Sequence, residues 1–520
     1  MSDPSDSDNP DNSDNLGPGA PTPPITIGGG AADATAALAT TRVVVSDQVI
    51  RRLEQTGAPV SVADDVTGGT SQDWWPLAMC WALDGQLAGR AAVVVRPDSV
   101  AQISEIAAIC HEARIPLTTA AGRSGVCGNA VPVFGGVVLD VCGLSGIIEV
   151  DDDSLTVNVA AGTFGDHFED TLRRDHSMTA GHWPQSMALS TVGGWLACRG
   201  AGQFSTRYGK IEDIVIGLDV TLADGRQIST GGQPRQAAGP DLTQMFVGSE
   251  GTLGIITAAR LKLHPVPPVE QRAAFACETF ESGLDACRRV LRRGGTPAVL
   301  RLYDAIESKR NFDVDSNVVL VMDEGDPALV EANLCIISDE FAGADPLDVG
   351  LVERWMGHRN DVAALESLIS SGFVVDTMEI SAPWSALDDI YRSTIDAIGG
   401  IEDVLAVSAH QSHAYLDGAC LYFTFAGRPA TDASGPDATR SKTAFYRRVW
   451  DIGTRNVLAR GGALSHHHGI GLNRGRFMVE ALGGAFEVLT AMKSALDPAG
   501  ILNPGKLGLP HPFGAIPGWD

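Results

Sequence analysis

The sequence predicts an α+β protein with two domains. A chain of 520 residues is longer than a single hydrophobic core usually serves. Between residues 131 and 262, short apolar runs follow one another closely, with Asp/Gly turns and few helices between them, which is typical of an α+β sheet domain. From Val269 onwards, apolar runs of strand length alternate with longer helical segments, which predicts a second domain of α/β or α+β type.

The composition changes at Pro265 to Pro268, and we place the domain boundary there. Residues 1–40 are acidic and rich in Ser and Pro, so we expect a disordered tail. Residues 41–267 form the first domain with a strand and helix as lead-in, and residues 268–460 form the second. We expect residues 461–520 to return and pack on the first domain.

Charge and cysteine content exclude several classes of function. The net charge of −26 argues against nucleic acid or an anionic membrane as the main partner. Nine cysteines without a CxxC pair suit a reducing, cytoplasmic environment and argue against a disulfide framework or a structural zinc site. No apolar run of about 18 residues is present, so no membrane span is expected.

Local signals define the elements of the first domain. Val93 to Val95 is a short buried strand, and Pro97 to Ser99 opens a helix with Ser99 as a plausible cap. The next strand begins at Ile115. Further along, Asp224-Gly225 predicts the turn of a β-hairpin.

Residues Gly181 to Asp213 contain many glycines and little apolar periodicity. We therefore expect neither an ordinary helix nor a core strand there. Glycines in number indicate backbone with positive φ or backbone pressed close to another group. Long loops of this kind in compact domains are usually functional.

Two further glycine-rich loops lie near this stretch, at Ala121 to Asn129 and from Gly248. The first follows a strand, where backbone N–H groups can line up on a pyrophosphate. It lacks the Gly-Lys-Ser/Thr of a phosphate-binding P-loop, and the segment GVVLDV after it indicates a strand where a dinucleotide fingerprint needs a helix. Taken singly, a structural turn is the simpler interpretation of this loop.

Aromatic and imidazole side chains in the second half are candidates for proton transfer. Tyr422 lies in a strand, CLYFTF, where a lone Tyr is more often packing with a satisfied hydroxyl. His466, His467 and His468 are consecutive. In extended backbone the outer two would face one way and His467 the other, which makes a compact metal site awkward, so we expect no metal.

Several motifs, in order over roughly residues 75–510, resemble the alkyl-dihydroxyacetone-phosphate synthases, flavoproteins of the vanillyl-alcohol oxidase type. They are TAGHWPQSMALSTVGGWLACRGAG, YGKIED, AAGPDL, GSEGTLGIIT, AVLRLYD, SAPW, YLDGACLYFTF and GGALSHHHGIG. The resemblance implies a two-subdomain FAD-binding domain at 41–267, a substrate cap domain at 268–460, and noncovalent FAD. One departure is Arg123, which stands where that family commonly has Gly.

The resemblance also implies which residues border the cofactor, with His182 and Thr191 beside the flavin. The first loop contributes Gly122, Arg123, Ser124, Gly125, Val126, Cys127 and Gly128. The middle stretch contributes His182, Gln185, Ser186, Met187, Ala188, Leu189, Ser190, Thr191, Cys198, Arg199, Gly200 and Ala201. The third loop contributes Ser249, Glu250, Gly251, Thr252, Leu253, Gly254, Ile255 and Ile256.

Catalytic roles follow from the same resemblance. Tyr422 is the implied acid/base and His467 the implied base, with His466 and His468 shaping the pocket. Arg301 and Arg359 are candidates for a phosphate or carboxylate of the substrate, because a guanidinium binds such groups with two hydrogen bonds. For Arg301 an internal ion pair is an equal alternative, and Arg359 is the better candidate.

The implied reaction exchanges the acyl chain of acyl-dihydroxyacetone phosphate for a fatty alcohol, a step in ether lipid synthesis. The resemblance also implies a homodimer, and a lipid-like substrate implies peripheral membrane contact. The tail LDPAGILNPGKLG is more similar to D-2-hydroxy acid dehydrogenases of the same superfamily, so an FAD-dependent dehydrogenase is the alternative. A flavin-binding protein without activity is a third possibility.

Overall fold

The computed structural model describes residues 20–429 and 436–519. The strands are, in chain order, β1 (Thr35–Ala36), β2 (Val60–Ser61), β3 (Gln86–Leu87), β4 (Val93–Val95), β5 (Leu117–Ala120), β6 (Val137–Asp140), β7 (Ile147–Asp151), β8 (Thr156–Ala160), β9 (Met178–Thr179), β10 (Val215–Thr221), β11 (Gln227–Gly231), β12 (Ile255–Lys262), β13 (His264–Pro265), β14 (Val269–Cys277), β15 (Val299–Tyr303), β16 (Asn317–Gly325), β17 (Asp345–Pro346), β18 (Val374–Pro383), β19 (Val404–Ala414) and β20 (Gly418–Gly427).

Eighteen α-helices of the described residues lie between or after these strands. They are α1 (Asp47–Gln55), α2 (Asp64–Thr70), α3 (Pro76–Leu83), α4 (Val100–Ala113), α5 (Gly165–Thr171), α6 (Val192–Cys198), α7 (Ser205–Tyr208), α8 (Ile211–Ile214), α9 (Thr243–Phe246), α10 (Phe280–Arg292), α11 (Ala305–Phe312), α12 (Pro327–Glu340), α13 (Gly350–His358), α14 (Ala363–Ser370), α15 (Trp384–Gly399), α16 (Pro436–Leu458), α17 (Met478–Leu482) and α18 (Ala485–Leu496). No helix among the described residues is long and apolar enough to cross a membrane.

Two sheets build the first half of the molecule. The smaller has the order β2-β4-β6-β5, with β4 and β5 both parallel to β6 and helix α4 crossing between them. All three residues of β4 are buried, as an inner strand requires. The larger sheet, β11-β10-β12-β8-β7, is antiparallel and contains the hairpin predicted at Asp224-Gly225. The expected α+β arrangement is confirmed.

The second half contains one seven-stranded sheet in the order β17-β14-β16-β15-β19-β20-β18. Every neighbouring pair is antiparallel, so α+β describes the cap domain better than α/β. This sheet and β12 of the larger sheet are separated in the chain by the two-residue strand β13 and the prolines that follow it. Strand β20 carries the candidate catalytic Tyr422, whereas His466, His467 and His468 lie in a loop after α16.

The expectation of disorder over residues 1–40 fails from residue 20 onwards; residues 1–19 lie outside the described residues. Ile25, Ile27 and Leu38 are buried in the same apolar core as Trp75 and the cap sheet. Residues Thr35–Ala36 pair with Gln86–Leu87. A polar, Pro-rich composition masked a few apolar residues that are sufficient to anchor the segment.

The glycine-rich middle stretch is less irregular than its composition predicts. It contains three short helices, α6, α7 and α8. Helix α6 begins where the Thr191 hydroxyl accepts a hydrogen bond from Gly194 N (3.3 Å). Val192, Trp195 and Leu196 are buried on one side of it, so an apolar i, i+3, i+4 pattern was present within the glycines.

The C-terminal segment contacts the first domain. Leu117 N donates to Ile501 O (2.8 Å), which extends the smaller sheet. The Lys493 ammonium donates to Thr252 O (2.8 Å) in the third glycine-rich loop. The chain end therefore supports the loops that the sequence assigns to the cofactor.

Candidate functional site

The three glycine-rich loops meet in one place. A Cβ on Gly122 would lie 2.1 Å from the carbonyl oxygen of Leu189, so the first and middle loops touch through backbone alone. A Cβ on Gly251 would lie 3.8 Å from the Cβ of Thr119, at the end of β5. Glu250 N donates to Ala197 O (2.9 Å), which joins the third loop to α6.

Arg123, Arg199 and Glu250 adopt positive φ angles of 55°, 57° and 51°. Such angles cost an L-residue about 1–2 kcal/mol, so Gly would adopt the backbone conformation of Arg123 with less strain. The Arg123 guanidinium lies 3.7 Å from Asp140. The positive charge of Arg123 is thus balanced by the carboxylate of Asp140, at the end of the neighbouring strand β6.

Unpartnered polar atoms at this junction test whether a cofactor fits it. The hydroxyl of Thr119 and both ring nitrogens of His182 are buried without a hydrogen-bond partner among the described residues. His182 Nε2 lies 3.9 Å from the position that a Cβ on Gly200 would take. Leaving a buried polar group unpaired costs about 1–3 kcal/mol. Glycine backbone that a cofactor can approach closely lies here beside buried polar groups that lack a partner. This combination fits an extended, polar cofactor such as FAD.

Several side chains predicted to border the cofactor are used elsewhere. The Ser249 hydroxyl donates to Phe246 O (2.7 Å), and the Thr252 hydroxyl donates to Ser249 O (2.7 Å). Met187, Leu253 and Ile255 are buried in apolar cores. At these positions only the backbone remains available for a cofactor.

The remaining predicted positions differ in exposure. Gly122, Cys127, Gly128, His182, Ser190, Thr191, Ala201, Gly254 and Ile256 are buried; Arg123, Ser124, Gly125, Val126, Ser186, Leu189, Cys198, Gly200 and Gly251 are half-buried; Gln185, Ala188 and Arg199 are exposed. Gln185 Nε2 donates to Asp361 O (3.0 Å), so the middle loop also reaches the cap domain.

Burial lowers the pKa of His182 to about 3, with the Lys210 charge acting in the same direction. The ring packs on Trp195 with centroids 4.7 Å apart. At neutral pH His182 is therefore an uncharged imidazole, which offers one donor and one acceptor to whatever lies beside it.

Strand register assembles an aromatic row across the cap sheet. Tyr303 on β15 is opposite His410 on β19, which is opposite Tyr422 on β20, which is opposite Glu379 on β18. The rings of Tyr303 and His410 stack at 5.1 Å, and those of His410 and Tyr422 at 4.9 Å. The buried carboxylate of Glu307 holds His410 Nδ1 at 2.7 Å.

The three consecutive histidines lie in a bend, so the prediction of alternating directions is wrong. The physical cause is Glu379, whose carboxylate accepts hydrogen bonds from the backbone N–H groups of His466 (2.8 Å), His467 (3.4 Å) and His468 (2.6 Å). A single acceptor for three successive amides cannot be reached from an extended strand. As a result His466 Nδ1 and His467 Nδ1 are only 2.9 Å apart.

Two buried carboxylates hold this histidine loop, which we define as residues 465–471. At its start, Glu379 also pairs with Arg474 at 3.1 Å. At its end, Glu250 of the third glycine-rich loop accepts hydrogen bonds from Ile470 N and Gly471 N. One carboxylate comes from each domain, so the loop is held between the cap and the cofactor loops.

The fold brings Tyr422 and the histidine loop together. The Tyr422 hydroxyl lies 3.3 Å from His468 Nε2 and 3.1 Å from the Thr377 hydroxyl. Its ring lies nearly parallel to that of His467 at 6.0 Å. Within the histidine loop, the hydrogen-bond partner of Tyr422 is therefore His468 rather than His467.

Burial determines the charge states of this cluster. It raises the pKa of Tyr422 and lowers the pKa values of His466 and His467 well below the ordinary value. Burial also opposes ionisation of Glu379, but the Arg474 charge and the hydrogen bond from the His466 backbone N–H act in the other direction, and the pKa of that carboxyl lies below its usual range. The resting site thus contains neutral imidazoles and a neutral phenol beside one carboxylate–guanidinium pair.

Neither candidate arginine forms an ion pair with a carboxylate among the described residues. Arg301 is buried, donates from Nε to the Tyr303 hydroxyl (3.0 Å) and lies 5.2 Å from the Trp355 ring. An internal ion pair, the alternative considered for it, is not formed. Arg359 donates from Nη1 to Gln203 Oε1 (3.0 Å) and packs over Trp183 and Phe204.

Sequence reasoning missed a chain of hydrogen bonds beside the histidine loop. Ser205 Oγ lies 2.8 Å from His413 Nδ1 and 2.9 Å from the Tyr415 hydroxyl, which lies 3.0 Å from His466 Nε2. Lys210 donates to His466 O (2.6 Å). Ser205 and Lys210 lie in the glycine-rich stretch, and Tyr415 opens a motif already singled out, so proximity to those motifs was the available signal.

Comparisons with known proteins agree with this geometry. Residues 91–231 match the family model of an FAD binding domain, and residues 266–507 match that of the C-terminal domain of FAD linked oxidases. A solved alkyldihydroxyacetonephosphate synthase is similar in fold, with a TM-score of 0.74 and 22% identity over 92% of this chain and 90% of that one.

Three curated relatives carry different names. An uncharacterized FAD-linked oxidoreductase, YgcU, of Escherichia coli O157:H7 is 31% identical over 80% of this chain and 88% of its own length. The alkyldihydroxyacetonephosphate synthase of Caenorhabditis elegans is 29% identical over 72% and 69%, respectively. The glycolate oxidase subunit GlcD of Bacillus subtilis is 27% identical over 80% and 88%. The chain therefore belongs to the FAD-linked oxidase family, flavoproteins of the vanillyl-alcohol oxidase type with FAD as cofactor.

Proposed function

We propose that this FAD enzyme exchanges the acyl chain of acyl-dihydroxyacetone phosphate for a long-chain alcohol. The observation that carries the proposal is that four residues lie on the same face of the cap sheet: Tyr422, His410, Tyr303 and Arg301. These residues follow the strand register of the cap sheet, and Arg301 is two residues from Tyr303 and so on the same face. A buried guanidinium that has no carboxylate partner among the described residues, near neutral proton carriers, suits an anionic substrate that must lose and regain a proton.

Each of these residues has a separate role in the proposed reaction. His467 accepts a proton from the substrate carbon next to the carbonyl and returns it to that carbon after the exchange, which a neutral imidazole can do. Tyr422, hydrogen-bonded to His468, donates a proton to the departing carboxylate and recovers one from the incoming alcohol. The acyl group leaves as a fatty acid and the alcohol oxygen takes its place, so the exchange involves no net oxidation. FAD, when bound, supplies the electrophilic ring that the protein orients.

Arg301 and Arg359 hold the substrate anion. A phosphate at Arg301 would replace the missing carboxylate partner, and forked guanidinium–phosphate contacts are short and strong. Arg359 faces the middle glycine-rich stretch through Gln203, so it closes the substrate space from the side of the cap. The synthase relatives support this substrate class.

The test uses FAD-loaded protein with acyl-dihydroxyacetone phosphate and labelled hexadecanol. We expect labelled ether product together with release of one fatty acid per ether formed. Fully flavin-loaded protein that releases no fatty acid and forms no labelled ether would contradict the proposal. Omission of the alcohol is the control, because exchange then has no acceptor.

Oxidation of a D-2-hydroxy acid is the second candidate, motivated by the glycolate oxidase subunit among the relatives and by the tail ILNPGK. In the structure that tail has a supporting role: Asn503 donates to Asn129 O and Glu250 O, and Lys506 donates to Val131 O. Resemblance in the tail therefore does not favour the dehydrogenase. Anaerobic bleaching of the flavin by D-lactate or D-glycerate would favour it, and a flavin that stays oxidised would argue against it.

A further inference from the structure

We propose that His413, His466 and His467 form a binding site for one zinc-class divalent cation. One ring nitrogen from each residue lies within 4.8 Å of the other two. The closest pair, His466 Nδ1 and His467 Nδ1, is 2.9 Å apart. Two imidazole nitrogens on one tetrahedral zinc are about 3.4 Å apart, as follows from Zn–N bonds of about 2.0–2.1 Å. The observed spacings bracket that value.

The residues come from two distant elements that the fold holds together. His413 is near the end of β19, and the other two belong to the histidine loop. The ring of His413 stacks on that of His466 with centroids 4.9 Å apart and meets that of His467 at 5.1 Å. His413 and His466 are buried, so the three rings converge in an interior space rather than on the surface.

Outer hydrogen bonds orient two of the three rings in the way that metal ligands require. Ser205 Oγ holds His413 Nδ1 (2.8 Å), and the Tyr415 hydroxyl holds His466 Nε2 (3.0 Å). The nitrogens left for a metal are Nε2 of His413 and Nδ1 of His466, and the latter contacts His467 Nδ1 at 2.9 Å, a contact that a bound ion would replace. Metal-ligating histidines almost always have such a partner on the second nitrogen. Neutral rings with N–H groups toward Ser205 and Tyr415 would present three lone pairs to the ion.

Glu379 fixes the backbone of two of the three ligands. It binds the N–H groups of both His466 and His467, which holds their Cα atoms in place before any ion arrives. A three-ligand site leaves the fourth tetrahedral position for water or a substrate oxygen. The ion would occupy the Nδ1 lone pair of His467, so the metal-free form is the one in which this ring moves a proton.

The test measures metal content in FAD-loaded protein. Enzyme treated with EDTA, incubated with an excess of zinc chloride and desalted should retain one zinc ion per chain by elemental analysis. The zinc X-ray absorption spectrum should show imidazole scattering at about 2.0–2.1 Å. Retention of less than a tenth of an equivalent by the wild type would overturn the proposal.

Variants assign the ligands. His413→Ala and His466→Ala should each lower zinc retention at least tenfold, and His468→Asn, which alters the adjacent imidazole outside the triad, should retain zinc. Each variant must keep the wild-type ratio of FAD to protein, which identifies a folded sample. Equal zinc loss in His468→Asn, or full retention in a folded His413→Ala, would contradict the assignment. Because the experiment measures metal content, its outcome does not depend on whether the protein catalyses the proposed exchange reaction.

Discussion

Burial sets the charge states of the candidate proton-carrying side chains in this protein. Tyr422 and the histidines of the 465–471 loop are neutral because solvent is excluded from them. A neutral imidazole beside a neutral phenol can pass a proton in either direction without creating a buried charge in the resting state. This is the arrangement that the proposed exchange reaction needs.

Replacement of Tyr422 by Phe removes the hydroxyl and retains the ring that stacks on His410. We expect turnover to fall about 100-fold or more, since a positioned acid or base contributes about 10²–10⁴, while FAD content stays unchanged. Steady-state kinetics and the flavin spectrum measure the two quantities. Tyr391→Phe, which removes a half-buried hydroxyl elsewhere in the cap domain, is the matched control. Equal kinetics in the two variants would show that Tyr422 has no role in proton transfer.

Replacement of Arg301 by Gln removes the unpaired guanidinium beside Tyr303. If Arg301 binds the substrate anion, KM for the phosphate substrate should rise at least tenfold, because hydrogen bonds to charged groups contribute about 1.5–3 kcal/mol. Arg292→Gln, at an exposed position of α10 in the same domain, is the control. An unchanged KM would leave anion binding to Arg359 alone.

At the scale of elements, two loops are defined by contacts that their own sequences do not contain. The histidine loop is bent by Glu379 from β18, and the first glycine-rich loop is pressed against the middle stretch at Gly122 and Leu189. In both cases the partner lies more than 60 residues away. The loops should therefore be sensitive to single changes in those partners.

Glu379→Gln removes the anion that three loop amides and the buried Arg474 share. Breaking a buried pair from one side costs about 3–5 kcal/mol, and the free energy of unfolding should fall by that order. The folded-state pKa of Glu379 lies below its unfolded value, so its stabilising effect is present above about pH 4.3 and is lost as the pH falls further. Chemical denaturation at pH 7 and pH 3.5 should thus show a smaller difference between variant and wild type at the lower pH. Asp339→Asn, in an exposed pair with Arg293, should change stability by less than about 1 kcal/mol at either pH.

Gly122→Ala introduces a methyl group where the Leu189 carbonyl oxygen lies 2.1 Å from the ideal Cβ position. Because the obstructing atom is backbone, the two cofactor loops must separate, and we expect FAD affinity to drop at least tenfold. Gly343→Ala, which meets no atom within 4 Å, is the control. Flavin fluorescence titration measures both, and wild-type affinity in Gly122→Ala would show that the loops do not act together on the cofactor.

Residues near both ends of the described chain pack into the core that the two domains share. One apolar core contains Ile25 and Leu38 near the start, Trp519 at the end and the inner face of the cap sheet. Trp75 Nε1 donates to the Tyr446 hydroxyl (2.9 Å), and the ring meets that of Trp519 at 5.1 Å. The two domains therefore share a core, which fixes the distance between cofactor loops and cap sheet.

Asn503 tests this long-range organisation. Its side chain joins the first and third glycine-rich loops from the C-terminal segment, 374 residues from Asn129 in the chain. Asn503→Ala leaves two buried carbonyl groups without this donor, and we expect a stability loss of about 1–3 kcal/mol together with weaker FAD binding. Asn311→Ala, at an exposed position of α11, should alter neither. Thermal unfolding with and without added FAD distinguishes loop support from a general loss of stability. If Asn503 supports the cofactor loops, added FAD should raise the unfolding temperature of the variant less than that of the wild type; a general loss of stability leaves this FAD-dependent rise unchanged.

Local patterns were sufficient for the fold class, the strand–helix–strand unit from Val93, the hairpin at Asp224-Gly225 and the three glycine-rich loops. Each depends on residues close in sequence, whose apolar period or turn chemistry is visible without the fold. Motif resemblance added the cofactor and the pairing of Tyr422 with the histidine loop. Residues 20–40 and helix α6 were misjudged because composition outweighed a few buried positions.

Long-range packing decided the rest. The bend of His466 to His468 depends on Glu379, which is 87 residues before the first of them, so strand alternation gave the wrong directions. The unpaired state of Arg301, the approach of His413 to the histidine loop and the support of the cofactor loops by Asn503 are likewise contacts between distant segments. Charge and hydrogen-bond partners of buried groups are properties of the assembled interior, and for that reason the chemistry of this site emerges only in the folded molecule.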